Sequence, residues 1–180
     1  MNPYMLTKVV RRIFVVPIAN DRHGKSTLMK NFVNHSSRST LLRVQHGARL
    51  LWTPNGRSID SYIFVRSYQE TLKNGYPSVS AALIASDTAW KRRELVILPS
   101  HVDSGDCEQI IETAHGAGFD IIAVPVLLEW NELDQFTSCL ELAWDQRWTI
   151  LNAKADDWRR QSQLLAADLW ARLSIAFLQP

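Results

Sequence analysis

The residues with the most specific chemistry run from Ala19 to Thr27: Ala19-Asn20-Asp21-Arg22-His23-Gly24-Lys25-Ser26-Thr27. The apolar run Ile13–Ile18 leads into them, and a helical pattern with Leu28, Met29 and Phe32 leads out. A loop between a buried strand and a helix start turns backbone N–H groups toward one point, and the helix dipole adds positive potential there. Such a place suits a phosphate. Gly24 allows a backbone shape and a close approach that a side chain would obstruct. Lys25 opposes the dipole at a helix start, so a bound anion would relieve its position.

This order of strand, loop, Gly-Lys-Ser-Thr and helix resembles the Walker A motif of the P-loop NTPase superfamily, Gly-x-x-x-x-Gly-Lys-Ser/Thr. Ala19 stands where the first glycine is usual; everything from Gly24 onward matches. The resemblance implies a three-layer α/β sandwich with a mainly parallel sheet, and ATP with Mg²⁺ as ligands. By the same resemblance, the amides of Asn20, Asp21, Arg22 and His23 wrap the β-phosphate. Lys25 bridges β- and γ-phosphate oxygens, Ser26 ligates Mg²⁺, and Thr27 bonds the α-phosphate. Small kinases and the ATPases of plasmid and chromosome partition share this element order.

The partners of such a loop are less distinct. A Walker B strand ends in an Asp that holds Mg²⁺ through water. Here Glu94-Leu95-Val96-Ile97-Leu98 runs into Pro99-Ser100-His101-Val102-Asp103, with no acid at the strand tip. Asp103 has two readings, Mg²⁺ through a water or the cap of the following helix. His101 has two as well, a contact to phosphate or substrate and a polar loop residue. Asp60 either serves as base toward an acceptor hydroxyl, as an Asp after the second strand does in small kinases, or is an exposed hairpin residue. Arg66 and Arg147 are either phosphoryl-stabilising arginines or surface residues.

Other constellations carry less. The GTPase motif Asn-Lys-x-Asp is absent; Asn152-Ala153-Lys154-Ala155-Asp156 has one residue too many, and a helix cap at Asn152 or Asp156 explains it more simply. ATP is therefore the default nucleotide. The five His lack metal-ligand spacing. Cys107 has no base beside it and reads as packing. Lys91-Arg92-Arg93 reads as a solvated helix end. Five of the seven Trp lie in the C-terminal third and suit a core or a subunit interface.

The elements that position these residues follow from pattern. Continuous apolar runs at Ile13–Ile18, Leu95–Leu98, Ile121–Leu128 and Trp148–Leu151 predict strands buried on both faces, hence a parallel sheet between helices. Arg49–Trp52 and Ser58–Val65 flank Pro54-Asn55-Gly56 and predict a hairpin. Helices are predicted over Lys25–Val33, Val79–Trp90 with Ser78 as N-cap, Cys107–His115, and Leu133–Trp144. The last and longest starts at Asp156-Asp157.

The 180 residues suit one domain, 1–180. A net charge of +2 and 46% hydrophobic residues argue against disorder and against a nucleic-acid-coating protein. Lys8, Arg11 and Arg12 before Ile13–Val16 resemble the front of a secretory signal, but the run is short and Pro17 follows. No run approaches a membrane span, and two Cys give no disulfide framework. A cytoplasmic, soluble chain is expected. Its partners would be a nucleotide and either an acceptor substrate or a protein, another copy of itself included. Two functions fit: a P-loop kinase or ATPase, and a degenerate, non-catalytic P-loop module that assembles through its Trp-rich C-terminal region.

Overall fold

The computed structural model describes residues 11–153 and 156–178, so Lys8, Lys154 and Ala155 lie outside the described residues. Strand β1 (Ile13–Ile18) is buried along its whole length. Its alternate side chains serve two cores. Ile13 and Val15 join one cluster with Leu28, Met29, Phe32 and Trp170. Phe14, Val16 and Ile18 join the other, with Leu83, Ile110, Ile111 and Phe136. A strand with apolar residues on both faces needs helices on both faces.

Those helices are present. Helices α1 (Lys25–Ser36) and α6 (Trp158–Leu178) cover one face, and α3 (Val79–Ser86) and α4 (Ser104–Gly116) the other. On the first face Phe32 and Trp170 meet edge to face, centroids 5.7 Å apart. Between the layers, among the described residues, lie seven strands. In addition to β1 these are β2 (Gly47–Trp52), β3 (Ser58–Ile63), β4 (Leu95–Ile97), β5 (Asp120–Leu127), β6 (Gln146–Arg147) and β7 (Ile150–Leu151). The order is β2-β3-β4-β1-β5-β6, with β7 also on β5. Only the β2–β3 hairpin is antiparallel. The fold is thus α/β with a mixed, mostly parallel sheet, compatible with a three-layer sandwich.

From β1 the chain goes to the β2–β3 hairpin at one edge, returns through β4 to the side of β1, then crosses to β5 on the other side. In open α/β sheets, ligands bind where the order reverses, beyond the C-terminal ends of the strands. The loop after β1 stands at that point. Pro17 and Pro125 each remove a ladder donor near the ends of the two central strands, where the sheet opens into loops.

Several element boundaries depart from the sequence pattern. The expected helix over Val79–Trp90 stops at Ser86, and a single 3-10 turn follows at Trp90–Arg92. The cause is Asp87, whose carboxylate accepts from the Ala89 N–H and pairs with Arg93, a local alternative to helical bonding. Leu133–Trp144 is not one helix but a 3-10 segment, Trp130–Phe136, followed by the short α5, Thr137–Leu140. Leu133 remains exposed there, so no continuous apolar stripe holds a longer helix. Of the expected strand Trp148–Leu151 only Ile150–Leu151 is strand, as β7; β6 lies just before the run, and both pair with β5. Helix α2 (Tyr68–Thr71), which follows β3, has no counterpart in the sequence pattern. Among the described residues no helix is long and apolar enough to cross a membrane.

Candidate functional site

The loop from Ala19 to Gly24 is fastened at three points. The Ala19 N–H donates to the Ser100 carbonyl at 3.2 Å, tying the loop's start to the chain beyond β4. His23 is buried, with Nδ1 3.1 Å from the Val126 carbonyl and Nε2 3.8 Å from a Glu132 carboxylate oxygen. Asn152, just past β7, donates from its amide to the His23 carbonyl at 2.9 Å. Asn20 adds a contact to Gln135 at 3.3 Å.

This fastening fixes the backbone at Gly24. Its φ of +78° is left-handed, and a Cβ there would stand 2.6 Å from Asn152 Nδ2. Both facts demand glycine. Arg22 is left-handed too, at φ 66°. Helix α1 then begins at Lys25 without a side-chain cap and without an acid in its first turn. A helix start without such groups leaves its N–H donors free for a ligand.

Lys25 is buried at this helix start, with Nζ 3.3 Å from the Ala19 carbonyl and 3.4 Å from the Ser100 carbonyl. Burial lowers its pKa, and the carboxylates of Glu70 and Asp21 act in the opposite direction. A cavity of about 260 Å³ lies over it, lined by residues 20–27 and Glu70. A second cavity of about 200 Å³ shares Arg22, Gly24 and Thr27 with the first and adds Leu128, Asn152, Ala153 and Trp158. Each is small for a ligand site, which commonly spans ~300–1,000 Å³; the two are neighbours through these shared lining residues.

Residues 20–27 all line the first cavity, so the expected binding loop is brought together. Two members have other tasks. The His23 side chain points into the protein, and Asn20 braces the 3-10 segment. Ser26 is exposed at the helix start and Thr27 half-buried. His101 also arrives, its Nε2 3.5 Å from Asp21 Oδ1 and 3.9 Å from Glu70 Oε2.

Asp60 and Asp103 do not line the first cavity. Asp60 lies in the N-terminal half of β3, one residue before the pair Ser61–Leu95, and Leu95 is level with Ile13. At ~3.3 Å per residue this leaves Asp60 about 20 Å from the loop along the strand direction. Its carboxylate pairs with Arg93 at 2.7 Å. Asp103 caps α4, accepting from the Asp106 N–H at 2.9 Å. Arg147 donates to the carbonyls of Leu140 and Leu142.

The residue that sequence reasoning missed is Glu70. It sits on α2, at the C-terminal edge of the sheet after the second parallel strand, where an acid was sought at Asp60. Ser67 and Glu70 form a capping box: Glu70 Oε2 accepts from the Ser67 N–H at 2.9 Å and its Oγ at 2.5 Å. The hydroxyl bond is the main reason its pKa falls, with the Ser67 N–H, Lys25 and His101 adding to it. The Ser-x-x-Glu spacing was the available signal.

Beneath this edge a part-buried network holds the α2 and α4 starts together. Gln69 donates to Ser100 Oγ at 2.9 Å and to Asp106 at 2.8 Å, and accepts from the His101 N–H at 3.0 Å. Lys73 pairs with Asp106 at 2.8 Å. Cys107 is fully buried next to Ser100 and Cys139, and its thiol pKa is pushed up, first by the bond to Cys139 and then by burial. It serves packing.

The chain matches no family model, and no curated protein or solved structure resembles it significantly.

Proposed function

We propose that the protein binds a nucleoside triphosphate, ATP, with its phosphates in the 19–27 loop, and acts on the terminal phosphoryl group as a small kinase or ATPase. The observation that carries this reading is Lys25, an ammonium buried at the start of an uncapped helix, where the order of the sheet reverses. Desolvating a charge is unfavourable without compensation. Two carbonyls at 3.3 and 3.4 Å compensate weakly, and a phosphate would do so strongly.

On this reading Lys25 and the first N–H groups of α1 bind the β- and γ-phosphates. Ser26, exposed beside them, would hold Mg²⁺, which supplies charge neutralisation to the transferred group. Thr27 lies on the wall shared by both cavities and suits the α-phosphate. Trp158, 52% exposed beside the second cavity, offers a stacking face to a base. Glu70 stays ionised at the edge of the first cavity; its lowered pKa suits it to hold a cation rather than to take up a proton.

Titrating ATP, GTP and inorganic phosphate with Mg²⁺, read by intrinsic Trp fluorescence, tests this. A saturable response to a nucleotide, larger than that to phosphate, supports it. No response to any of the three rejects it.

A second reading, a non-catalytic assembly module, is favoured by the exposed Leu164, Ile175 and Leu178 on α6. Phosphate release above a Ser26→Ala control would count against it.

A further inference from the structure

We propose that Asp21, Glu70 and His101 form a site for a divalent transition-metal ion of the Mn²⁺ to Zn²⁺ series, on the wall of the loop cavity. Three separate segments deliver these side chains: the loop after β1, helix α2, and the turn between β4 and α4. One ligand atom of each lies within 4.8 Å of the other two. His101 Nε2 is 3.5 Å from Asp21 Oδ1 and 3.9 Å from Glu70 Oε2. Two ligands held at ~2.1 Å from a tetrahedral ion stand about 3.4 Å apart, so small adjustments close the set.

Two further observations point to a cation. His101 Nε2 is buried as an atom and makes no hydrogen bond, although it faces the two carboxylates at 3.5 and 3.9 Å, spacings open enough to admit an ion between them. A buried nitrogen of this kind calls for a proton acceptor or a metal. In addition, Asp21 and Glu70 line the same cavity as Lys25 and the helix start. Two carboxylates on the wall of an anion site would repel its ligand. A dication between them cancels both charges and leaves Lys25 for the phosphate.

The supporting bonds suit a metal site. The Ser67 N–H and hydroxyl hold Glu70 in place, and the His101 N–H donates to Gln69. Such outer contacts orient metal ligands. An imidazole beside two carboxylates selects first-row transition metals over Mg²⁺, which takes oxygen ligands and water. Three protein ligands leave coordination positions open. That these meet a phosphate oxygen rests on the nucleotide reading above; the site itself does not.

The test is Co²⁺ binding to the nucleotide-free chain, without a polyhistidine tag, followed by equilibrium dialysis and visible absorption. One Co²⁺ per chain is expected, retained in excess Mg²⁺. Affinity should fall at least tenfold in His101→Ala and in Glu70→Gln, with the ligand-field band lost in the His variant. Glu70→Gln keeps an acceptor for Ser67 and carries the test if His101→Ala does not fold. Lys25→Ala should retain Co²⁺ even where nucleotide binding is lost, which separates the two readings. Equal Co²⁺ affinity in wild type and both ligand variants, or displacement by Mg²⁺, would overturn the proposal.

Discussion

The two ends of the parallel sheet are built on opposite principles. At the N-terminal end, charges are matched. Arg11 pairs with Asp120 at 2.6 Å, Arg57 with Glu94, and Arg93 with both Asp60 and Asp87 at 2.7 and 2.8 Å. Arg12 donates to the Ala117 carbonyl at 2.7 Å. At the C-terminal end the α2 and α4 starts are matched, by Ser67–Glu70 and Lys73–Asp106, but the groups around the loop are matched only in part. Among the described residues Lys25 hydrogen-bonds only to carbonyls, α1 starts without a side-chain cap, His101 Nε2 has a carboxylate at 3.5 Å but no hydrogen bond, and Gly24 and Arg22 are left-handed. Structural ends satisfy their polar groups; open groups at a topological switch are the feature on which the proposed nucleotide site rests.

Substitutions at the two ends should therefore separate binding from stability. The largest effect on binding is expected for Lys25→Met. Losing the charge-assisted contact should cost about 2–3 kcal/mol of nucleotide affinity, roughly 30- to 150-fold. Thermal stability should hold or rise, since a buried ammonium is removed. A stability loss without an affinity loss would make Lys25 structural.

Gly24→Ala comes next, because it links both properties. The left-handed φ and the contact with Asn152 should lower stability by about 2 kcal/mol, seen in urea melts. Gly24→Ala combined with Asn152→Ala should recover part of that loss, leaving the φ strain. No recovery would remove the clasp from the account.

At the opposite end, Arg93→Ala should cost about 1–2 kcal/mol of stability, since Arg93 and Asp87 are mostly buried. Nucleotide affinity should stay within twofold. A large affinity loss would mean the two ends are coupled.

The smallest effect is the acid response of Glu70→Gln. The Glu70 carboxyl is held below its ordinary 4.5 in the folded chain, so its stabilisation is present above pH 4.5 and fades as pH falls through the lowered value. Wild type should melt slightly above Glu70→Gln at pH 7, and the gap should close in acid. A gap that widens in acid would reverse the assigned direction.

Much of the frame was legible in the sequence. Ile13–Ile18 and Lys25–Val33 carry their own signals, an apolar run and a helical period, and the structure places them as strand and helix, the helix running on to Ser36. The hairpin was legible from Pro54-Asn55-Gly56. Strand polarity was not. Asp60 falls in a genuine strand, but a pattern does not show which end of that strand meets the loop. Glu70 was hidden because a four-residue helix shows no period, although its capping box was in plain view. The resemblance assigns only the His23 amide to phosphate and says nothing of its ring, which turns to the Val126 carbonyl. Asn152 was weighed for base recognition or a helix cap, and it fastens the loop instead. Both depend on long-range contacts that no local spacing reveals.

The most direct test is a calorimetric titration of Mg·ATP into wild type and Lys25→Met. Saturable heat at one nucleotide per chain in wild type, weakened at least 30-fold in the variant, is the predicted result. Equal binding by both chains, or no binding by wild type, would contradict the assignment of this end of the sheet to a nucleotide.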